Sequence, residues 1–152
     1  MRSTKRKAEA REPKRLPKTP KVAKGSRAAK GGKAAAVTNT LARQIAQVAS
    51  DHKALEIQVL DLRTLTSFTD FFVVCSGASD RQVISIADAI HHELKGSGRL
   101  PLGEEGLRSG HWALLDYGDV VVHVFYAPAR EHYQLEKLWF DAPRLTFKGI
   151  NA

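Results

Sequence analysis

Apolar residues along this 152-residue chain change their period several times, and each change marks an element. Leu41, Ile45, Val48 and Ala49 fall at the spacing of one helical face. Thr40 or Asn39 is placed to cap that helix, which should end near Asp51–Lys53. Leu55-Glu56-Ile57-Gln58-Val59-Leu60 then alternates apolar and polar, as a half-buried strand does. After a connection over residues 61–69, Phe71-Phe72-Val73-Val74-Cys75 is continuous and rich in β-formers. That run predicts a central strand covered on both faces. Ser76-Gly77-Ala78 breaks it, and Ser79 followed by Gln82 is a capping-box signature. Val83, Ile86, Ala87, Ile90 and Leu94 share the face of the helix behind it, which Gly96-Ser97-Gly98 stops.

Residues 103–110 read as a polar, glycine-rich connection, with room for a short strand just before it at Leu100–Leu102. Trp112–Leu115 reads as a strand and Asp116-Tyr117-Gly118-Asp119 as a hairpin turn. Val120–Tyr126 returns as the strongest strand of the chain. Its period of two puts Val120, Val122, Val124 and Tyr126 on one face and Val121, His123 and Phe125 on the other. Pro128 and Arg130 precede a last helix carrying Leu135, Leu138 and Trp139, which Asp141-Ala142-Pro143 ends. The order α-β-β-α-β-β-α predicts an α/β fold, one domain with a mixed sheet and helices packed on it. The expected folded part is 39–142, with 143–152 as a short tail.

Charge divides the chain differently. Residues 1–38 hold 13 Lys and Arg against two acids, whereas residues 39–152 hold 11 against 14. The formal net charge of +8 therefore describes an N-terminal extension, and the folded part is mildly acidic. With one Leu, two Val and three prolines, residues 1–38 cannot bury enough apolar surface to offset the entropy of ordering them. They are expected to be disordered. The extension lacks the apolar core of a secretory signal and the apolar stripe of an amphipathic transit helix. Two readings stay open: lysines displacing counterions from a polyanion, and a solubilising extension with no fixed partner. No apolar run approaches the ~18–20 residues of a membrane span. The expected location is cytoplasmic, with mitochondrion or plastid as the alternative if the extension is a transit peptide.

Candidate chemistry is thin. His91 and His92 are adjacent on a helix and point about 100° apart, the wrong arrangement for a shared metal. His52 lies at an expected helix end, an ordinary place for a favourable dipole contact. His111 and His123, on neighbouring strands, lack a third protein ligand. Cys75, the single cysteine, excludes an internal disulfide and reads as a buried, inert thiol. Asp116 and Asp119 flank a glycine turn, where carboxylates more often shape the turn than bind metal. Ser76-Gly77-Ala78-Ser79 before a helix resembles a phosphate cradle but lacks the P-loop pattern and its lysine. No catalytic residue, no metal and no cofactor is expected.

Longer stretches carry more. Thr69-Asp70-Phe71-Phe72-Val73-Val74-Cys75-Ser76-Gly77 with Ser79-Asp80-Arg81-Gln82-Val83 and Ile86-Ala87-Asp88 resembles the first signature of the ribosomal silencing factor (Iojap-related) family. Pro101 with Glu105-Gly106 resembles that family's loop. The run from Trp112 to Phe125 resembles its second signature, and Arg130 with Tyr133-Gln134-Leu135-Glu136-Lys137-Leu138-Trp139 its closing segment. The resemblance covers about residues 40–142 and leaves the N-terminal extension outside. Gln82 stands where the family often has histidine, a departure that leaves the helix start intact.

The resemblance implies an α-β-α arrangement similar to that of nucleotidyltransferases, without their chemistry. It implies binding to the large ribosomal subunit through its fourteenth ribosomal protein. There the factor blocks joining of the small subunit and represses translation. Within the matched motifs, Trp112, Tyr117 and Trp139 are the large amphipathic anchors, and Asp116, Asp119 and Glu136 are placed to meet basic groups of a partner. Each also has a plain structural reading, the tryptophans as core and the aspartates as turn formers. A nucleotidyl-transfer enzyme of the same fold class and a general RNA binder acting through its extension remain the alternatives. A homodimer off the ribosome is a further open partner.

Overall fold

The computed structural model describes residues 32–150, so residues 1–31, and with them most of the expected disordered extension, lie outside the described residues. Its elements are α1 (Gly32–Asp51), β1 (Leu55–Asp61), β2 (Phe71–Gly77), α2 (Asp80–Gly96), β3 (Gly103–Glu105) and β4 (Trp112–Asp116). They continue with β5 (Val120–Tyr126), α3 (Ala127–Tyr133), α4 (Leu135–Leu138) and β6 (Arg144–Leu145). The strands form one six-stranded sheet in the order β3-β4-β5-β2-β1-β6. Only β2 and β5 run parallel, in register from Phe71 opposite Val120 to Gly77 opposite Tyr126. Every other pairing is antiparallel, so the sheet is mixed as the element order predicts.

The two-residue period of the strands divides the core into two layers. Val73, Cys75, Val120, Val122 and Val124 face α1 and α2, whose Leu41, Ile45, Ala49, Val83, Ile86 and Ile90 pack against them. Phe72, Val74, Val121 and Phe125 face the other way. Among the described residues no long helix covers that second layer; Leu135, Ala142, Phe68 and the two tryptophans do. All seven residues of β2 are buried, as a strand covered on both faces must be.

The expectations for the ends of the domain need correction. Asn39 and Thr40 lie inside α1, which begins at Gly32. Residues 32–38 therefore belong to the helix and not to the extension, because the Lys33-Ala34-Ala35-Ala36 run has high helix propensity. At the other end, residues 143–150 are not a tail. Leu145 and Arg144 pair with Val59 and Leu60, and Leu145, Phe147 and Ile150 pack onto the α1–α2 layer. The short strand expected at 100–102 forms at 103–105, where Gly103 pairs with Asp116. The expected single last helix is two. Pro128 and Arg130 lie within α3, where proline in the first turn costs no hydrogen bond. Gln134, at φ 49, is left-handed and separates α3 from α4.

Local contacts fix these joints. Ser79 Oγ accepts from the Gln82 amide at 3.1 Å, and Gln82 Oε1 accepts from the Ala78 amide at 2.7 Å. Gln82 Nε2 also donates to the carbonyls of His52 and Lys53, so this one side chain joins the end of α1 to the start of α2. Gly106, at φ 75, lies so close to β4 that a Cβ there would stand 1.9 Å from the Trp112 carbonyl oxygen.

Candidate functional site

The layer without a long helix is built from rings. Trp112 on β4 and His123 on β5 are diagonal neighbours, since Trp112 stands opposite Phe125 and Leu114 opposite His123. Trp112 Nε1 donates to His123 Nδ1 at 3.1 Å. The His123 ring lies 4.5 Å from that of Phe72, centroid to centroid, and Trp139 meets Phe72 edge-on at 5.9 Å. Phe68 is 6.2 Å from Trp139, and Tyr133 is 4.8 Å from Trp112. These offset and edge-on contacts suit the ring quadrupoles and set the two tryptophans in defined poses. Both are half-buried. Beside them Leu138 and Phe140 are 74% and 75% exposed, and Tyr133 is 42% exposed. Large apolar side chains this open stand out on a domain whose other apolar residues are mostly buried.

The polar groups beneath are held inward. Burial pushes the His123 imidazole down to about 3, so the ring is neutral. With Nδ1 accepting, Nε2 carries the proton, and this buried N–H has no hydrogen-bond partner. Arg130, although charged, is buried. Its Nε and Nη2 donate to one Glu136 carboxylate oxygen at 2.9 and 2.5 Å, and its Nη1 to the Glu56 carbonyl and Ser76 Oγ, both at 2.8 Å.

The six residues singled out in the sequence are therefore not equivalent. Trp112 and Trp139 lie in the ring layer, and Glu136 is turned onto Arg130. Asp116 Oδ1 accepts from the Gly118 amide at 2.8 Å, and the Asp119 carbonyl accepts from the amides of Asp70 and Phe71, which ties the hairpin turn to the start of β2. Tyr117 is corrected: it is buried in the opposite layer, with α1 and α2. The turn folds its ring under the sheet, and burial raises the phenol to about 12. Leu138, Phe140 and Tyr133 were the residues missed. The run Leu138-Trp139-Phe140 held the signal, because three successive apolar side chains cannot all face one core.

Elsewhere Cys75 is fully buried, which pushes its thiol up to about 12. His91 Nδ1 lies 2.7 Å from Glu104 Oε2, and His111 stacks near Tyr126. Among the described residues no group of three or more His, Cys, Asp or Glu is arranged to hold a metal, and no helix is long and apolar enough to cross a membrane. A cleft of about 320 Å³ lies beside Arg130, lined also by Leu55, Glu56 and Gln134.

Comparisons agree with this architecture. The family described as "Ribosomal silencing factor during starvation" matches residues 35–152. A ribosomal silencing factor of Halalkalibacterium halodurans is 39% identical over 100 residues, 66% of this chain and 86% of that one. The chloroplastic Iojap protein of Arabidopsis thaliana is 35% identical over 103 residues, 67% of this chain and 42% of that one. A crystal structure of a Chromobacterium violaceum protein superposes with a TM-score of 0.67 at 35% identity, covering 73% of this chain and 92% of that one. With a match that begins inside α1, the chain belongs to the ribosomal silencing factor family.

Proposed function

We propose that this protein silences ribosomes by docking on the large subunit through the fourteenth ribosomal protein, where it stands in the way of the small subunit. The observation that carries the docking surface is the exposure of Leu138 and Phe140, the chain neighbours of Trp139, which itself packs onto the second core layer. Aromatic anchors in a desolvated centre supply most of the energy of such interfaces. Trp112, Trp139 and Tyr133 are rigid in this sense, each fixed by ring contacts before any partner arrives. Mild acidity of residues 39–152 favours a basic partner, with Asp116 and Asp119 near the hairpin as the charges that steer it. The mechanism is occlusion. It needs one bound copy per subunit and neither turnover nor cofactor.

The basic extension contacts ribosomal RNA in this reading, adding affinity that does not depend on sequence. The protein acts in the cytoplasm, or in an organelle if the extension is a transit peptide, as the chloroplastic name of the Arabidopsis relative illustrates. A homodimer off the ribosome would cover the same apolar face. Sedimentation with isolated subunits tests the proposal. The parent should travel with the large subunit alone and prevent reassociation, and the double variant Leu138→Asp, Phe140→Asp should do neither while remaining folded.

A further inference from the structure

The exposed pair Leu138 and Phe140 sits on a segment with little stability of its own. α4 has four residues and no side-chain cap, and it follows a left-handed Gln134. One turn of helix fixes more backbone than it bonds, so its pose must come from what it packs against. Three apolar groups hold it: Leu135 in the second core layer, Trp139 against Phe68 and Phe72, and Ala142 beyond. Polar contacts add to these: Arg130 donates to the Glu136 carboxylate, and Arg144 Nη1 donates to the carbonyls of Ala142, at 2.9 Å, and Trp139, at 3.5 Å; of these, the Arg130–Glu136 pair joins α4 to the buried interior.

Arg130 joins three separate parts of the chain. Nε and Nη2 take Glu136 of α4, while Nη1 takes Ser76 Oγ near the end of β2 and the carbonyl of Glu56. That carbonyl is available because β1 carries an irregularity there: the register with β2 shifts between Leu55 and Gln58, and Glu56 has φ 47. The guanidinium fork is thus spent on scaffold at one end and on α4 at the other. A lysine has one compact charge and cannot span these partners.

We infer that Arg130 is a positioning residue for docking: through Glu136 it sets the pose of Leu138, Trp139 and Phe140 without touching the partner. This rests on the docking surface proposed above. It differs from a direct contact by Glu136, which would need that carboxylate free to meet a basic group. Positioning makes Arg130 and Glu136 equally necessary. Direct contact makes Glu136 necessary and Arg130 dispensable, since losing Arg130 would release the carboxylate.

The test uses the full chain with 5-fluorotryptophan at its two tryptophans, which gives one ¹⁹F line each for Trp112 and Trp139. Glu136→Gln and Arg130→Lys are read by ¹⁹F spectrum, thermal unfolding and large-subunit co-sedimentation. Both should shift or broaden the Trp139 line, leave the Trp112 line in place, and weaken binding about tenfold. Glu136→Asp, which keeps the charge and draws the carboxylate back by one methylene, guards against loss of fold in the other two. It should give a smaller Trp139 change with a correspondingly smaller loss of binding. Parent-like binding or an unmoved Trp139 line in folded Arg130→Lys overturns the inference. A parent that fails to bind large subunits, or a Leu138→Asp, Phe140→Asp variant that binds normally, removes the docking surface instead.

Discussion

The indole N–H of Trp112 and the Nδ1 of His123 lie 3.1 Å apart across β4 and β5, and this one bond fixes the protonation of a buried ring. A nitrogen that accepts from Trp112 cannot carry a proton of its own. His123 is therefore neutral, its proton is on Nε2, and the ring packs on Phe72, which in turn meets Trp139.

The stability of the domain should accordingly fall with acid in a defined window. Burial holds His123 at about 3 in the fold, against about 6.5 for a free histidine. Between these values the unfolded chain binds the proton and the folded chain does not, so stability rises with pH across the window. The contribution is complete above about pH 6.5 and is lost as pH falls toward 3. The slope approaches one proton, at most about 1.4 kcal/mol per pH unit. Denaturant unfolding between pH 4 and 7 checks this. His123→Phe should flatten the profile, and an unchanged slope would show that His123 is not its source.

Tyr117 separates packing from docking. Tyr117→Ala removes a buried ring and should cost about 3–5 kcal/mol, the range for large aromatics in cores. Tyr117→Phe should be neutral or mildly stabilising, because the phenol oxygen is buried without a hydrogen-bond partner. Thermal unfolding of the two variants distinguishes the cases. A well-folded Tyr117→Ala would contradict the burial. Val122→Asp should not fold at all, since it places an unpaired carboxylate in the packed layer under α1 and α2.

Cys75 should be chemically silent. Its thiol is fully buried and raised to about 12, so thiolate is scarce at neutral pH and no reagent reaches it. Ellman's reagent should label the native protein only at the rate of unfolding and the denatured protein at once. Rapid native labelling would show that β2 opens.

A basic extension that contacts ribosomal RNA should make binding depend on salt. Residues 1–31 carry 12 Lys and Arg against two acids. Their deletion should weaken large-subunit binding and flatten its dependence on ionic strength, without changing which subunit is chosen. Unchanged affinity and slope would make the extension a bystander.

How much of this could be read in the chain follows from what sets each feature. Strand and helix faces were legible because a period of two or 3.6 is a local property: the split of Val120–Tyr126 into two faces appears unaltered in the two core layers. Helix α2 was legible through Ser79 and Gln82, whose capping contacts are also local. Ends were not. The alanines before Thr40 look like part of a basic extension by charge and like helix by propensity, and charge misled. Residues 144–145 form a strand only because β1 offers an edge far away in sequence. In the candidate site, the tryptophans were visible as residues but their depth was not. Tyr117 looked exposed because turns usually are, while the tilt of this turn puts its ring in the core. Arg130 could be noticed but not understood, since its partners Glu56 and Ser76 lie 74 and 54 residues away.

In the proposed docking, a large ribosomal subunit is held through Trp139 and its exposed chain neighbours Leu138 and Phe140. Co-sedimentation with purified large and small subunits, using the parent beside Leu138→Asp, Phe140→Asp, measures it most directly. The parent should pellet with large subunits alone and block reassociation, and the double variant, equally stable to heat, should stay in the supernatant. Parent-level binding by the double variant, or parent binding to small subunits, would contradict it.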